Sequence, residues 1–395
     1  MTIDIFHSEL IEIDNDELAG VDGFLGDTTD VESIIVYSRD WTVETVVNQI
    51  IKGNIDLNPE FQRRNAWNDS KKSSLIESYL IGYPVPEIVL AEHPREKKKF
   101  IVIDGKQRLL TLCGFLMHEK FNSWRSPKLS KLKDIKELNG KTFSDLKKER
   151  PLNKYLRHLA NADVRCTVIS NISSDDILYD IFYRLNAGAT PLSTQELRQV
   201  LYAGSFSNFL LKYTSNLTKI HDVLKLQSPD DRLKDVETLL RLLSMIHRIN
   251  DYNGNLKKHL DEYAYSCNEE WGSVESRINH DLNKIDSIIE TLSSLLGGYD
   301  KVGRKWNSEK NDFEARFNTV LFEVQVYFAF YSENLSSVNA HDFQKEFKKL
   351  CDNSEFNASI SSSTKNIKEY TSRFNLYSEF MKKLCNEEIE FPWMA

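Results

Sequence analysis

The stretch Phe100-Ile-Val-Ile-Asp-Gly-Lys-Gln-Arg108 restricts the chain's fold more than any other. A short β-branched run predicts a strand, Asp104-Gly105 a sharp turn, and Lys106 onward an amphipathic helix through His118. Leu109, Leu110, Leu112, Cys113, Leu116 and Met117 cover a wide face of that helix, so its body is expected to be buried. A strand that turns through glycine into a helix presents backbone N–H groups and the positive end of the helix dipole. Such a junction suits a phosphate, and here it carries two cations, Lys106 and Arg108.

Further strands are expected at Val31–Tyr37, Ile88–Glu92 and Val164–Ile169, with helices over Trp41–Lys52 and from Asn68 or Asp69 to Ile81. Ser173 opens a helix that ends near Asn186-Ala-Gly188, and Ser193-Thr-Gln-Glu196 is a capping box that starts the next. From Phe206 the strand signal largely vanishes. Val236–Ile249, Val274–Leu296, Phe313–Tyr331 and Ile367–Leu384 carry helical periodicity. The fold class is therefore α+β. An acidic arm (1–34) precedes an α/β domain (35–205), and an all-helical domain (206–395) follows.

A net charge of −8 conceals a local asymmetry. Residues 1–38 hold ten acids and no Lys or Arg, whereas residues 95–157 carry a net +11. Such a zone is either a solvated lysine-rich surface or a footprint for nucleic acid or nucleotide. The arm could mask it, or serve only as a solubilising tail. The five cysteines lie far apart without a Cys-x-x-Cys pair, and the nine histidines are scattered. Zinc centres, disulfide frameworks and His-Asn-His nucleases find no support. There is no Gly-x-x-x-x-Gly-Lys-Ser/Thr loop and no Gly-x-Ser-x-Gly elbow. No apolar run approaches a bilayer-spanning length and the N-terminus is acidic, so a cytoplasmic protein without a membrane partner is expected.

Three segments stand out together: Asn58-Pro-Glu-Phe-Gln62-Arg63-Arg64 with Trp67; Asp104-Gly105-Lys106-Gln107-Arg108 with Thr111; and Phe182-Tyr-Arg184-Leu-Asn186-Ala-Gly188, followed by Ser193, Glu196 and Arg198. With Asp235-Val-Glu237 and Arg241 further on, the set resembles the GmrSD N-terminal domain family over roughly residues 35–250. That family has a ParB/sulfiredoxin-like fold and the hallmark Asp-Gly-Gln-Gln-Arg. Lys106 stands where the hallmark has Gln, which keeps a hydrogen-bond donor and adds a charge.

The resemblance implies binding or hydrolysis of a nucleoside triphosphate with Mg2+ in an anti-phage or restriction system that senses or acts on foreign DNA. A separate nuclease subunit is implied as a partner, and self-association is left open. Asp104 and Gln107 are the catalytic candidates, and Gln62, Arg63, Gly105, Lys106, Arg108, Asn186 and Arg198 the nucleotide or phosphate candidates. Two other readings stand beside this one: a non-catalytic DNA-binding sensor, and a metal-dependent nuclease holding Mg2+ on Asp104 with Glu77 or Glu87.

Several candidates carry a structural alternative. Arg108 can clamp phosphate or pair with Asp104 or Glu77. Asp104 can orient water, hold Arg108 or cap the helix. Gln107 can position a water or lie on the surface, and Arg63 can bind phosphate or be solvated. Trp67 is better read as packing than as a base platform. Asn186 can be a helix C-cap, Glu196 the capping-box partner of Ser193, and Arg198 either line the site or pair with an acid.

Overall fold

The computed structural model describes residues 34–57, 67–94, 96–121, 124, 126–173, 177–178, 181, 193–361 and 367–391. Gln62, Arg63, Arg64, Asn186 and Gly188, the acidic arm apart from Ile34, and most of the helix expected after Ser173 lie outside them. The chain divides between Leu201 and Tyr202 into two compact units.

The first unit is built on a mixed five-stranded sheet. Its strands are β1 (Ile35–Thr42), β2 (Ile55–Asp56), β3 (Ile88–Glu92), β4 (Phe100–Asp104) and β5 (Asp163–Ser170), in the order β1-β5-β3-β4-β2. β1 runs antiparallel to β5, β5 parallel to β3, β3 antiparallel to β4, and β4 parallel to β2. Ile88, Leu90, Phe100, Val102, Val164, Cys166 and Val168 point alternately into one core, as the two-residue period of a strand requires. Val89, Ala91, Ile101 and Ile103 are buried as well, so the central strands are covered on both faces.

Three helices fill that core: α1 (Val43–Ile51), α2 (Asp69–Ile81) and α3 (Lys106–Leu116). The expected helix over Trp41–Lys52 starts two residues late. Thr42 adopts an extended backbone and its Oγ1 accepts the Thr45 N–H at 3.2 Å, so β1 runs on through Trp41. Asn68 caps α2 by accepting the Lys71 N–H at 2.9 Å, and Gly82 ends it at φ +77°.

The lysine-rich span after residue 119 has an apolar underside. Leu129, Leu132, Ile135 and Leu138 recur every third residue and are buried, while Lys128, Lys131, Lys133 and Lys136 between them are exposed. Two short helices follow, α4 (Phe143–Lys148), with a Thr142–Asp145 capping box, and α5 (Asn153–Asn161). Glu77 of α2 latches the span by accepting backbone N–H groups of Lys133, Asp134 and Ile135 at 3.2, 2.8 and 3.0 Å. The unit closes with α6 (Thr194–Leu201).

The second unit is helical: α7 (Ser205–Tyr213), α8 (Lys219–Leu224), α9 (Lys234–Arg248), α10 (Leu256–Glu269), α11 (Trp271–Leu296), α12 (Thr319–Tyr331), α13 (Ala340–Asp352), α14 (Ser354–Ser361) and α15 (Ile367–Cys385). α12 is buried on every side along residues 319–330 and packs against α9, α11 and α15. The unit departs from the all-helical expectation in one place. Trp306–Asn307 and Asp312–Phe313 form a two-stranded antiparallel ladder. The helix expected from Phe313 begins only at Thr319, where Asn318 accepts the Leu321 N–H at 2.9 Å. No helix among the described residues is long and apolar enough to cross a membrane.

Candidate functional site

The turn between β4 and α3 depends on Gly105. Its φ is +93°, and a Cβ there would fall 2.3 Å from Ile88 Cδ1 and 3.0 to 3.2 Å from the Arg108 guanidinium. A side chain is therefore excluded both by backbone conformation and by space. The same geometry shows that Ile88 and Arg108 take the space directly over Gly105, where the sequence suggested an open seat for phosphate.

Arg108 folds back on its own turn. Its Nη2 donates to Asp104 Oδ2 at 2.8 Å and to the Glu87 carbonyl at 3.1 Å. Of its expected partners it takes Asp104. Glu77 is occupied elsewhere: burial raises its carboxyl, but the Ile135, Asp134 and Lys133 N–H groups more than offset this and hold it below its ordinary range. The Arg108 side chain is 12 % exposed against 53 % for Asp104, so the pair closes over the turn with its acid toward solvent. Gly105 rather than Asp104 is the N-cap residue of α3, and no side chain caps that end.

Lys106 and Gln107 face the other motifs. Gln107 Oε1 accepts the Trp67 N–H at 3.3 Å, which ties the second motif to the end of the first. Burial pushes the Lys106 ammonium down to a pKa of about 7, against the pull of Glu196 and Asp56. A lysine from the first turn of α3 is thus within electrostatic reach of an acid from β2 and another from the first turn of α6. Asp56 lies just ahead of the first motif and Glu196 follows the core of the third, so described residues of β2, α3 and α6 come together around Lys106.

Glu196 closes the expected capping box, accepting the Ser193 N–H at 2.5 Å, while Ser193 Oγ accepts the Glu196 N–H at 3.1 Å. Its carboxylate therefore has a structural task as well as a place near Lys106. Arg198 is 1 % exposed and donates from Nη1 to Gln195 Oε1 at 2.7 Å. Gln195 and Gln199 are buried beside it. Asp56 and Gln195 escaped the sequence reading. The available signal for Asp56 was an acid on a short extended segment just ahead of Asn58-Pro59.

Among the described residues no group of three or more His, Cys, Asp or Glu side chains converges in a way that could hold a metal ion. The Glu87 carboxylate accepts the Thr167 hydroxyl at 2.9 Å. A second charged feature is the outer surface of α4 and α5, where Lys147, Lys148, Arg150, Lys154, Arg157 and His158 are exposed. Lys154, Arg157 and His158 recur at helical spacing on one face of α5.

Comparison with known proteins agrees with the motifs. Residues 43–203 match the family model described as GmrSD restriction endonuclease, N-terminal domain. The match starts at α1 and ends just past α6, and so contains every strand of the five-stranded sheet but β1. No curated protein and no solved structure matches the chain.

Proposed function

We propose, from the premise that residues 43–203 are a GmrSD restriction endonuclease N-terminal domain, that this unit binds a nucleoside triphosphate around Lys106. The match to residues 43–203 suggests a restriction or defence role. Nucleotide binding, hydrolysis and a separate nuclease subunit are our finer reading of it.

One observation carries this reading: a half-buried lysine with a lowered pKa, on the first turn of a helix without a side-chain cap, flanked by acids from two other motif regions. A triphosphate would supply the anion that restores the full charge of that lysine, while the first-turn N–H groups add the helix-dipole contribution. Weight thus moves from Arg108, which is paired with Asp104, to Lys106. Gln107, held by the Trp67 N–H, would orient a water toward the terminal phosphorus, releasing a nucleoside diphosphate and inorganic phosphate. Mg2+ would screen phosphate charge, and Asp56 and Glu196, the acids acting on Lys106, would be the carboxylates to hold it.

The test is binding of each nucleoside triphosphate with Mg2+ to the full chain and to Lys106→Met. Binding that Lys106→Met abolishes supports the reading; no binding by the parent chain to any of them removes it. A second reading rests on the exposed cations of α4 and α5, which fit contact with the phosphates of DNA. Its affinity should fall steeply with salt. Affinity indifferent to salt would dismiss that contact.

A further inference from the structure

Among the described residues the five-stranded sheet has two unequal edges. β2 is two residues long, whereas β1 spans eight and pairs with β5 from Ile35↔Ser170 to Thr42↔Asp163 without a break in register. A long regular edge strand offers a row of backbone N–H and C=O groups to any other strand. Proteins commonly blunt such an edge by shortening it, or with a bulge, a proline or charged side chains, lysine above all. β2 uses the first device. β1, with the sequence Ile-Val-Tyr-Ser-Arg-Asp-Trp-Thr, contains no proline, lysine or bulge, and its charges are confined to the adjacent Arg39 and Asp40, of opposite sign. Its first three residues are also apolar and open, Ile35 at 55 %, Val36 at 61 % and Tyr37 at 39 % exposure, while Trp41 packs into the core.

We propose that β1 is a self-association surface, pairing antiparallel with β1 of a second copy about a two-fold axis through Ser38. The symmetry restricts the register. An axis normal to the sheet keeps each residue and its symmetry mate on one face, and a residue and its cross-strand partner must also share a face. The axis therefore passes through a residue position rather than between two. Only Ser38 and Arg39, as centres, keep seven residues of β1 in the ladder.

Centring on Arg39 sets two guanidinium groups directly opposite each other, which is unfavourable. Centring on Ser38 places a small hydroxyl on the axis. It then sets Ile35 opposite Trp41 of the second copy, an apolar pair, and Tyr37 opposite Arg39, an aromatic ring facing a cation. Arg39 already lies 4.6 Å from the Trp41 ring centroid, so cation and rings would form one row across the joint. The pairing closes on itself and joins two five-stranded sheets into one of ten.

The experiment uses the full chain, with its mass followed by light scattering as concentration rises. A concentration-dependent doubling is expected. Opposed residues in an antiparallel pair have Cα atoms about 4.5 to 5.5 Å apart, within the reach of a disulfide. Ser38→Cys should therefore cross-link under mild oxidation far faster than Val36→Cys, and the five native cysteines are buried and add little background. Tyr37→Lys should weaken the dimer by about tenfold or more through repulsion with Arg39, and adding Arg39→Glu should restore it. A chain that stays monomeric, Ser38→Cys linking no faster than Val36→Cys, or a dimer indifferent to Tyr37→Lys would overturn the proposal. Nucleotide binding at Lys106 is read separately, so either idea can fail without the other.

Discussion

The two units use charge in opposite ways. In the α/β unit, charged side chains gather where strands end and helices begin, as Asp56, Asp104, Lys106, Arg108 and Glu196 do. In the helical unit several lie inside the bundle and satisfy one another. His221 takes the Thr218 N–H on Nδ1 at 2.9 Å, and its Nε2 lies 3.0 Å from Asp235, with both side chains almost fully enclosed. Arg241 bonds Glu323 through Nε and lies 3.6 Å from Glu237. His247 bridges Asp281 at 2.8 Å and the Tyr263 hydroxyl at 2.6 Å. The contrast teaches that a polar motif in sequence does not say which way it faces. Asp235, Glu237 and Arg241 accompany the other motifs in the chain, yet they bind helices to one another in the core.

The largest effect that would test this contrast is on stability. Glu323→Ala leaves Arg241 buried without its close carboxylate and should cost about 3 to 5 kcal/mol, read from chemical denaturation of the full chain. A loss under about 1 kcal/mol would mean the helical unit's charges are not interlocked as described. In the α/β unit the main effect should fall on binding instead. Lys106→Met should weaken nucleotide binding by about a hundredfold, equivalent to about 2.7 kcal/mol, while leaving the unfolding midpoint nearly unchanged or slightly raised.

The same lysine fixes a pH signature. Its folded pKa of about 7 lies below the ordinary 10.5, so the unfolded chain binds the extra proton between those values. The ligand-free protein should gain stability as pH rises through that window. Affinity for an anion should fall as pH rises past 7, when the ammonium is lost. Titrating nucleotide affinity between pH 6 and pH 9, or about that range, checks the sign, and an affinity that rises with pH would contradict it.

Smaller effects probe the supporting structure. Gly105→Ala should destabilise the α/β unit by about 2 kcal/mol, since its Cβ meets Ile88 and the positive φ is strained for alanine. Arg373→Met, in the helical unit, should have the opposite sign. That arginine is fully buried, its guanidinium nitrogens have no hydrogen-bond partner, and it rests against the Tyr370 ring 5.1 Å away. Replacing it with an apolar side chain of similar length should be neutral or gain about 1 kcal/mol in thermal unfolding.

Much of this architecture is legible in the chain because local rules and tertiary demands agree. Ile88–Glu92 and Phe100–Ile103 read as strands on composition and fold as strands, since their apolar residues are buried on both faces. The Asn68 cap, the Gly82 stop and the Ser193–Glu196 box are short-range chemistry, and sequence spacing specifies them fully. The site is less legible because its contacts span long sequence separations. Nothing near Lys106 in the chain announces Asp56 or Glu196. The choice of Arg108 for Asp104 follows from Glu77 being taken by the 133–135 backbone, a contact more than fifty residues away. The lysine-rich span hides its apolar underside because its period of three is interleaved with charge.

The depressed pKa of Lys106 also makes it a chemical handle. With a pKa of about 7 a far larger share of its amine is unprotonated at neutral pH than for an ordinary lysine. An amine-reactive dye applied sparingly at neutral pH should label this position ahead of the many surface lysines, as peptide mass mapping would reveal. Bound triphosphate should then protect it, turning one nucleophile into a reporter of occupancy.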